Sequence, residues 1–86
     1  MNIPNHKFYY VYILNSINNP NKYYTGFTED ILERLKKHNE GGVKYTDSFK
    51  PWKIKTVISF TDKQKAIDFE KYLKTQSGRA FAKKRL

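Results

Sequence analysis

Glu70 is the acidic side chain whose position most needs an explanation. It belongs to an amphipathic helical segment. Viewed down the axis of that helix, Glu70 projects between Ala66 and Ile67, on the margin of the apolar face. A carboxylate in that position loses hydration unless a cation meets it. The cation could be a lysine, either Lys74 four residues further on or the nearby Lys71 or Lys63. It could instead be Mg²⁺, which binds through one or two carboxylates together with substrate phosphate. This segment alone leaves both interpretations open.

Arg34 and His38 are one helical turn apart and share a face that borders an apolar stripe. The planar guanidinium of Arg34 can bind two phosphate oxygens at once, and His38 can exchange protons near neutral pH. The alternative is an ordinary surface arginine beside a half-buried histidine that hydrogen-bonds to the backbone. His6, the other histidine, precedes the first strand without an obvious partner and is predicted to lie at the surface.

Tyr12 and Tyr24 lie on two predicted strands that an asparagine-rich turn joins. If this hairpin is centred on Asn18, Tyr12 lies opposite Tyr24 and Tyr10 lies opposite Gly26. The two phenols could orient or deprotonate a water, although a phenol with a pKa of about 10 is a weak base unless cations lower that pKa. The alternative is simple packing in an aromatic-rich core.

The composition excludes several classes of protein. A chain of 86 residues has room for one domain, predicted to span 1–86, and the absence of cysteine removes disulfides and thiolate zinc sites. The longest apolar run, residues 8–14, is far shorter than the ~20 residues of a membrane span. Because the N-terminus also lacks a signal-peptide pattern, we expect a cytoplasmic protein with no membrane association.

The positive charge is concentrated in the second half of the chain. The net charge is +9, and residues 1–43 hold five basic and four acidic side chains, whereas residues 44–86 hold twelve and four. A basic half on a small domain is typical of a protein that binds phosphate backbones. A lysine-coated surface that only keeps the protein in solution is the alternative.

The elements that must position these side chains begin with two strands and a helix. Residues 8–14 are apolar on both faces, which predicts a central strand, and residues 22–27 form the second strand of the hairpin. Thr28 is predicted to cap a helix that ends near residues 39–40. The apolar stripe of this helix consists of Ile31, Leu32 and Leu35.

The remaining elements are a loop, a strand and two helical segments. Residues 43–50 are predicted to form a loop, and residues 52–60 alternate like a half-solvated edge strand. Thr61 or Asp62 begins a helix that runs to about Thr75, followed by a short helical tail. One face of the edge strand is predicted to carry Trp52, Ile54, Thr56, Ile58 and Phe60.

The order and spacing of the candidate residues resemble the GIY-YIG nuclease family. Tyr10-Val11-Tyr12 matches the first motif and Tyr24-Thr25-Gly26 the second, and Arg34 follows the glycine by eight residues. The helical tail after Glu70 resembles the small stand-alone bacterial branch of that family. The resemblance covers roughly residues 8 to 85. It implies an α+β fold, a small three-stranded antiparallel sheet flanked by helices in the order β-β-α-β-α-α.

The resemblance also assigns roles. Tyr12 and Tyr24 become the motif tyrosines of the active site, and Gly26 the glycine that ends the second motif. Arg34 stabilises charge on the phosphate, and His38 occupies a position that the family fills with His or Tyr. Glu70 holds one divalent cation, Mg²⁺ or Mn²⁺.

The chain departs from the family pattern at three places. Tyr10 stands where the first motif has glycine, and Phe27 follows the second motif where some members carry a lysine that could lower a tyrosine pKa. No asparagine occurs after Asn39, so the late asparagine of some members has no match. The last two departures concern the activation of the water, for which Tyr12 and His38 both remain candidates.

The sequence therefore predicts a metal-dependent endonuclease that hydrolyses phosphodiester bonds in nucleic acid, most simply DNA. So small a domain has little surface for reading bases, which favours structure-selective or non-specific cutting. The alternatives are a nucleic-acid-binding module without catalysis and a protein-interaction adaptor. The side chains predicted to follow the nucleic-acid backbone are Lys44, Lys50, Arg79, Lys83, Lys84 and Arg85.

Overall fold

The computed structural model describes residues 7–86, which form three strands and four helices. His6 lies outside the described residues. In chain order the elements are β1 (Tyr9–Ser16), β2 (Tyr23–Thr28), α1 (Ile31–Glu40), α2 (Lys44–Asp47), β3 (Trp52–Phe60), α3 (Lys63–Leu73) and α4 (Gln76–Arg85).

The three strands form one antiparallel sheet in the order β2-β1-β3, as the sequence predicted. β1 is central because it is apolar on both faces, and Val11 and Leu14 are almost fully buried on opposite sides of it. Exposed and half-buried residues alternate along β3, which lies at an edge. The α+β fold is thus confirmed, with α2 as an additional short helix.

The predicted register of the hairpin was wrong by two residues. Tyr12 lies opposite Gly26, not opposite Tyr24, and Tyr10 lies opposite Thr28. The turn is therefore centred one residue later than Asn18. Because a shift of two keeps the alternation of faces, Tyr12 and Tyr24 still lie on the same side of the sheet.

The residues of β3 do not share one face as predicted. The pairing with β1 shifts so that Ile13 lies opposite Thr56, while Leu14 lies opposite Ile54. This irregularity reverses the alternation, because a β-bulge adds one residue to one strand only. Trp52 and Ile54 therefore pack with Tyr12 and Leu14, and Phe60 packs on the opposite side of the sheet.

The first helix begins later than predicted. Asp30, not Thr28, is the N-cap, and its carboxylate accepts a hydrogen bond from the Glu33 amide. Thr28 instead ends β2, where its hydroxyl bonds to the Asp30 backbone. Leu32 is 73% exposed and does not belong to the buried stripe. Gly41 ends the helix with a left-handed φ of 84°, as its type favours.

The segment predicted as a loop contains the four-residue helix α2, whose Thr46 is fully buried. Further on, Asp62 caps α3 through the Lys65 amide, and α3 ends at Leu73, two residues before the predicted end. Thr75 instead caps α4.

Two apolar clusters lie on opposite faces of the sheet. One joins Val11 and Ile13 to Ala66 and Leu73, so that α3 covers this face. The other cluster contains Tyr12, Leu14 and Trp52, and Ile31 and Leu35 of α1 pack against it. None of the helices within residues 7–86 combines the length and apolar character that crossing a membrane requires.

Candidate active site

The site begins where Tyr12 of the central strand faces Gly26 of the edge strand. A Cβ at position 26 would overlap the hydroxyl and ring of Tyr12. Glycine therefore makes the room that lets the phenol extend across β2. Although the Tyr12 side chain is 1% exposed, its hydroxyl reaches a polar cluster beside the strand edge.

A chain of hydrogen bonds runs from Tyr12 through His38 to Thr46. The Tyr12 hydroxyl lies 2.9 Å from His38 Nε2, and His38 Nδ1 lies 2.8 Å from the Thr46 hydroxyl. Thr46 in turn donates to the backbone carbonyl of Val43 at 3.2 Å. Tyr12, His38 and Thr46 are all buried, and the low local dielectric strengthens these hydrogen bonds.

Tyr24 packs against the hydrogen-bonded side chains of Tyr12 and His38. Its ring centroid lies 4.8 Å from that of His38 and 6.2 Å from that of Tyr12. The ammonium of Lys74 lies 5.9 Å from the centre of the Tyr24 ring. The two motif tyrosines and His38 thus form one aromatic group, which the C-cap lysine of α3 borders.

Glu70 approaches the same group from α3. Its side chain is 18% exposed, and Oε2 forms an ion pair with Lys74 Nζ at 3.1 Å. The lysine pairing that the helical spacing allowed is therefore present. Because Lys74 also borders the Tyr24 ring, one ammonium connects the acid to the aromatic group.

Arg34 completes the cluster from α1. It is half-buried and lines a depression of about 250 Å³ that Phe27 and Thr28 also line, directly after Gly26 on β2. The charge of Arg34 acts on both Tyr12 and His38. The structure therefore brings Tyr12, Tyr24, Arg34, His38 and Glu70 into one neighbourhood at the β2 edge.

The pKa values of the two buried groups are shifted in opposite directions. Burial raises the pKa of Tyr12 to about 12, with the charges of Tyr24 and Glu70 acting in the same sense and Arg34 opposing them. Burial, followed by the positive charge of Arg34, lowers the pKa of His38 below its usual 6.5. At neutral pH the phenol is therefore protonated and the imidazole is neutral.

A divalent cation would find one protein carboxylate in this cluster. Within residues 7–86, no three His, Cys, Asp or Glu side chains lie together in a way that could hold a metal ion. Glu70 alone fits an ion that keeps most of its waters and takes further oxygen ligands from phosphate, as Mg²⁺ does. One oxygen of this carboxylate, Oε2, is paired with Lys74.

A larger groove of about 890 Å³ starts at Tyr24 and Lys74. The described residues that line it include five cations, three tyrosines and no carboxylate. Tyr23 and Tyr45 are 50% and 54% exposed there. The cations are Lys22, Lys55, Lys74, Arg79 and Lys83.

The residues predicted to follow a nucleic-acid backbone divide into two sets. Arg79 and Lys83 line the groove, whereas Lys84 and Arg85 are exposed on α4 and do not line it. Lys44 is exposed on α2 outside the groove, and Lys50 forms an ion pair with Asp47 at 2.8 Å.

Several residues of the site and groove were missed from the sequence. Thr46 was assigned to a loop, and Lys22, Tyr23 and Lys55 were not singled out. An available signal was the aromatic residue beside a lysine in Lys22-Tyr23 and Lys44-Tyr45. Nothing in the spacing showed that Thr46 meets His38, because that contact depends on how α2 folds back onto α1.

The fold and the site together define a class of small α+β domain. Its sheet has three antiparallel strands, and two tyrosines, an arginine, a histidine and a glutamate gather at one strand edge. Residues 8–85 match the model of the GIY-YIG catalytic domain. The chain belongs to the GIY-YIG family, as its motifs predicted.

The chain is similar in sequence to bacterial UPF0213 proteins and to SLX1 endonuclease subunits. The UPF0213 protein YazA of Bacillus subtilis is 37% identical over 75 residues, which cover 86% of this chain and 71% of that protein. A UPF0213 protein of Bacillus velezensis is 40% identical, covering 77% of this chain and 64% of its own length. The structure-specific endonuclease subunit SLX1 of Malassezia globosa is 38% identical over 72% of this chain, but only 15% of SLX1 is covered. A second structure-specific endonuclease subunit SLX1, from Kluyveromyces lactis, is 40% identical over 70 residues, which cover 73% of this chain and 24% of that protein.

A solved structure shows the same fold. The solution NMR structure of the UPF0213 protein BH0048 from Bacillus halodurans superimposes with a TM-score of 0.52 at 32% identity. The match covers 87% of this chain and 81% of that one.

Proposed function

We propose that the protein is a metal-dependent endonuclease that hydrolyses phosphodiester bonds in nucleic acid, with DNA as the substrate. The observation that carries this proposal is the hydrogen bond between Tyr12 and His38, in a cluster that also holds an arginine and a glutamate. Hydrolysis needs a positioned water, stabilisation of charge on the phosphate and help for the leaving oxygen. The cluster contains a group suited to each need.

The water is activated by Tyr12 and His38 acting together. Because the Tyr12 pKa is about 12, the phenol does not take a proton from water as a phenolate. It accepts the water's proton only as it passes its own proton to the neutral His38, 2.9 Å away. Tyr12 is thus the group that contacts the water, and His38 is the final proton acceptor.

Arg34 binds the non-bridging oxygens of the scissile phosphate. Its side chain is half-buried beside the β2 edge, where a planar guanidinium can meet two oxygens at once. Low exposure strengthens its attraction for charge that grows on the phosphate as the reaction proceeds.

Glu70 holds the divalent cation, Mg²⁺ or Mn²⁺. When bound, such an ion acts as a Lewis acid that neutralises charge on the phosphate and on the leaving oxygen. A bound ion would compete with Lys74, which pairs with Glu70 Oε2, for the negative charge of this carboxylate. The Lys74 ammonium also lies beside the Tyr24 ring, close to the groove.

The basic groove guides the nucleic acid to the cluster. Its five cations and three tyrosines suit a phosphate backbone with unpaired bases nearby, and Tyr24 and Lys74 belong to both groove and cluster. Cutting is structure-selective or non-specific, since so small a domain has few groups for reading base edges.

One observation favours a second candidate, a nucleic-acid-binding module without catalysis. Tyr23 and Tyr45 are half-exposed in the groove, where bases could stack on them without any reaction. Both candidates bind with an affinity that falls steeply with salt, so affinity does not separate them.

An assay of DNA cleavage distinguishes the endonuclease from the binding module. The protein is incubated with supercoiled plasmid, single-stranded DNA and branched DNA in Mg²⁺, in Mn²⁺ and in chelator. We expect products with either ion and none with chelator. Binding to all three substrates without metal-dependent products would establish the binding module instead.

A further inference from the structure

Thr46 is a fully buried polar residue to which the proposed reaction assigns no role. Its hydroxyl lies 2.8 Å from His38 Nδ1, on the side of the ring away from Tyr12. Its backbone carbonyl accepts a hydrogen bond from Trp52 Nε1 at 2.8 Å, which fixes α2 against the start of β3. The hydroxyl is therefore held in place by contacts that do not depend on it.

The Thr46 hydroxyl has one proton and two neighbours that could take it, the Val43 carbonyl at 3.2 Å and His38 Nδ1 at 2.8 Å. The carbonyl can only accept, whereas Nδ1 can accept or donate. When the hydroxyl proton is directed to Val43, the Thr46 oxygen accepts from His38 and the ring proton lies on Nδ1. His38 Nε2 consequently carries a lone pair and accepts the Tyr12 proton.

We propose that Thr46 is a positioning residue that holds His38 in the Nδ1–H tautomer needed for proton transfer from Tyr12. This inference rests on the proposed nuclease function and adds to it the group that orients the base. With the proton on Nε2, His38 would donate to the Tyr12 oxygen and could not accept the Tyr12 proton.

In the proposed step the water oxygen bonds to phosphorus, while the water's O–H bond breaks and its proton moves to the Tyr12 oxygen. The proton of Tyr12 moves to His38 Nε2, and the bond from phosphorus to the leaving oxygen breaks, with solvent supplying that oxygen's proton. His38 becomes an imidazolium whose Nδ1–H still bonds to Thr46, so both of its N–H groups are paired.

Replacement of Thr46 separates this role from a structural one. Thr46→Val keeps the shape and the backbone bond to Trp52 but removes the acceptor, whereas Thr46→Ser keeps the acceptor. We expect Thr46→Val to lower the single-turnover cutting rate by roughly 10²–10⁴-fold, the usual contribution of a positioned base, with little change in DNA affinity. Thr46→Ser should restore most of the rate.

The tautomer can be read directly, without activity, by NMR of the ring nitrogens in a His6→Gln background, where His38 is the only histidine. We expect the Nδ1–H pattern in this background and in Thr46→Ser, and loss of that pattern in Thr46→Val. An Nε2–H pattern with Thr46 intact would overturn the inference even if no variant folds. An unchanged pattern or rate in folded Thr46→Val would overturn it as well.

The outcomes also distinguish this inference from the proposed function. If the wild type cuts no substrate, the nuclease proposal fails while the NMR measurement still tests the tautomer. If the wild type cuts and Thr46→Val cuts equally well, the nuclease proposal stands and the positioning role of Thr46 is wrong.

Discussion

Gly26 faces Tyr12 across the β1–β2 pair, and the missing side chain of the glycine provides the space that the phenol occupies. We therefore expect Gly26→Ala to push the Tyr12 ring away from His38. Overpacking of this kind lowers the free energy of unfolding by about 1–3 kcal/mol. Urea unfolding and the cutting rate measure the two consequences.

Gly42→Ala is the matched control for this substitution. A Cβ at position 42 would make a tight contact with the Lys37 carbonyl at 3.2 Å, a much smaller conflict than the overlap with the Tyr12 ring at position 26, and Gly42 is exposed. If Gly26→Ala were as stable and as active as Gly42→Ala, the close approach of Tyr12 to the strand would not be required.

In the proposed mechanism, Lys74 competes with the divalent cation for the Glu70 carboxylate. The Nζ–Oε2 distance of 3.1 Å joins a half-exposed ammonium to a mostly buried carboxylate. We expect Lys74→Met to bind Mn²⁺ up to about fivefold more tightly in a calorimetric titration without nucleic acid, given the modest strength of partly exposed ion pairs. Lys71→Met, an exposed lysine of the same helix, should leave the affinity unchanged. Weaker Mn²⁺ binding by Lys74→Met would mean that the lysine assists the metal site.

The stability of the protein should fall in mild acid because of His38. Its pKa is lowered in the folded state by burial and by Arg34, so the unfolded chain binds the proton more readily. The contribution of His38 is therefore complete above about pH 6.5 and is lost as the pH falls through 6.5 towards the lowered value. The free energy of unfolding in urea, measured from pH 8 to pH 5, follows this change.

Two histidine variants isolate that effect. His38→Gln should lose much of the decline between pH 7 and pH 5, and His6→Gln should keep it. A decline that is identical in the wild type and in His38→Gln would show that carboxylates, not His38, cause the loss of stability.

The sequence predicted the strands and the α+β class because these depend on local patterns. A continuous apolar run identified β1 and two-residue alternation identified β3, whereas the resemblance to the GIY-YIG family supplied the residues that converge, among them Arg34, His38 and Glu70. The start of α1 was predicted less accurately, because Thr28 and Asp30 are both residue types that favour the N-cap. Asp30 takes that position because β2 extends as far as Thr28.

What could not be predicted depends on contacts between distant segments. The two-residue shift of the hairpin brings Tyr12 over Gly26, which no local preference of the turn specifies. The irregularity in the pairing with Ile13 and Leu14 allows β3 to contribute side chains to both apolar clusters, one on each face of the sheet. The burial of Thr46 likewise follows from the packing of α2 beside α1 and Trp52.

The single-turnover rate of DNA cutting in Mn²⁺ by Glu70→Gln, with Asp68→Asn as its control, tests the proposed function most directly. Asp68 lies on the same helix but is exposed and bonds to Gln64. We expect Glu70→Gln to bind DNA at least as well as the wild type but to cut no faster than the wild type in chelator, while Asp68→Asn cuts normally. Cutting by Glu70→Gln at the wild-type rate would contradict the assignment of the metal to Glu70 and, with it, the proposed mechanism.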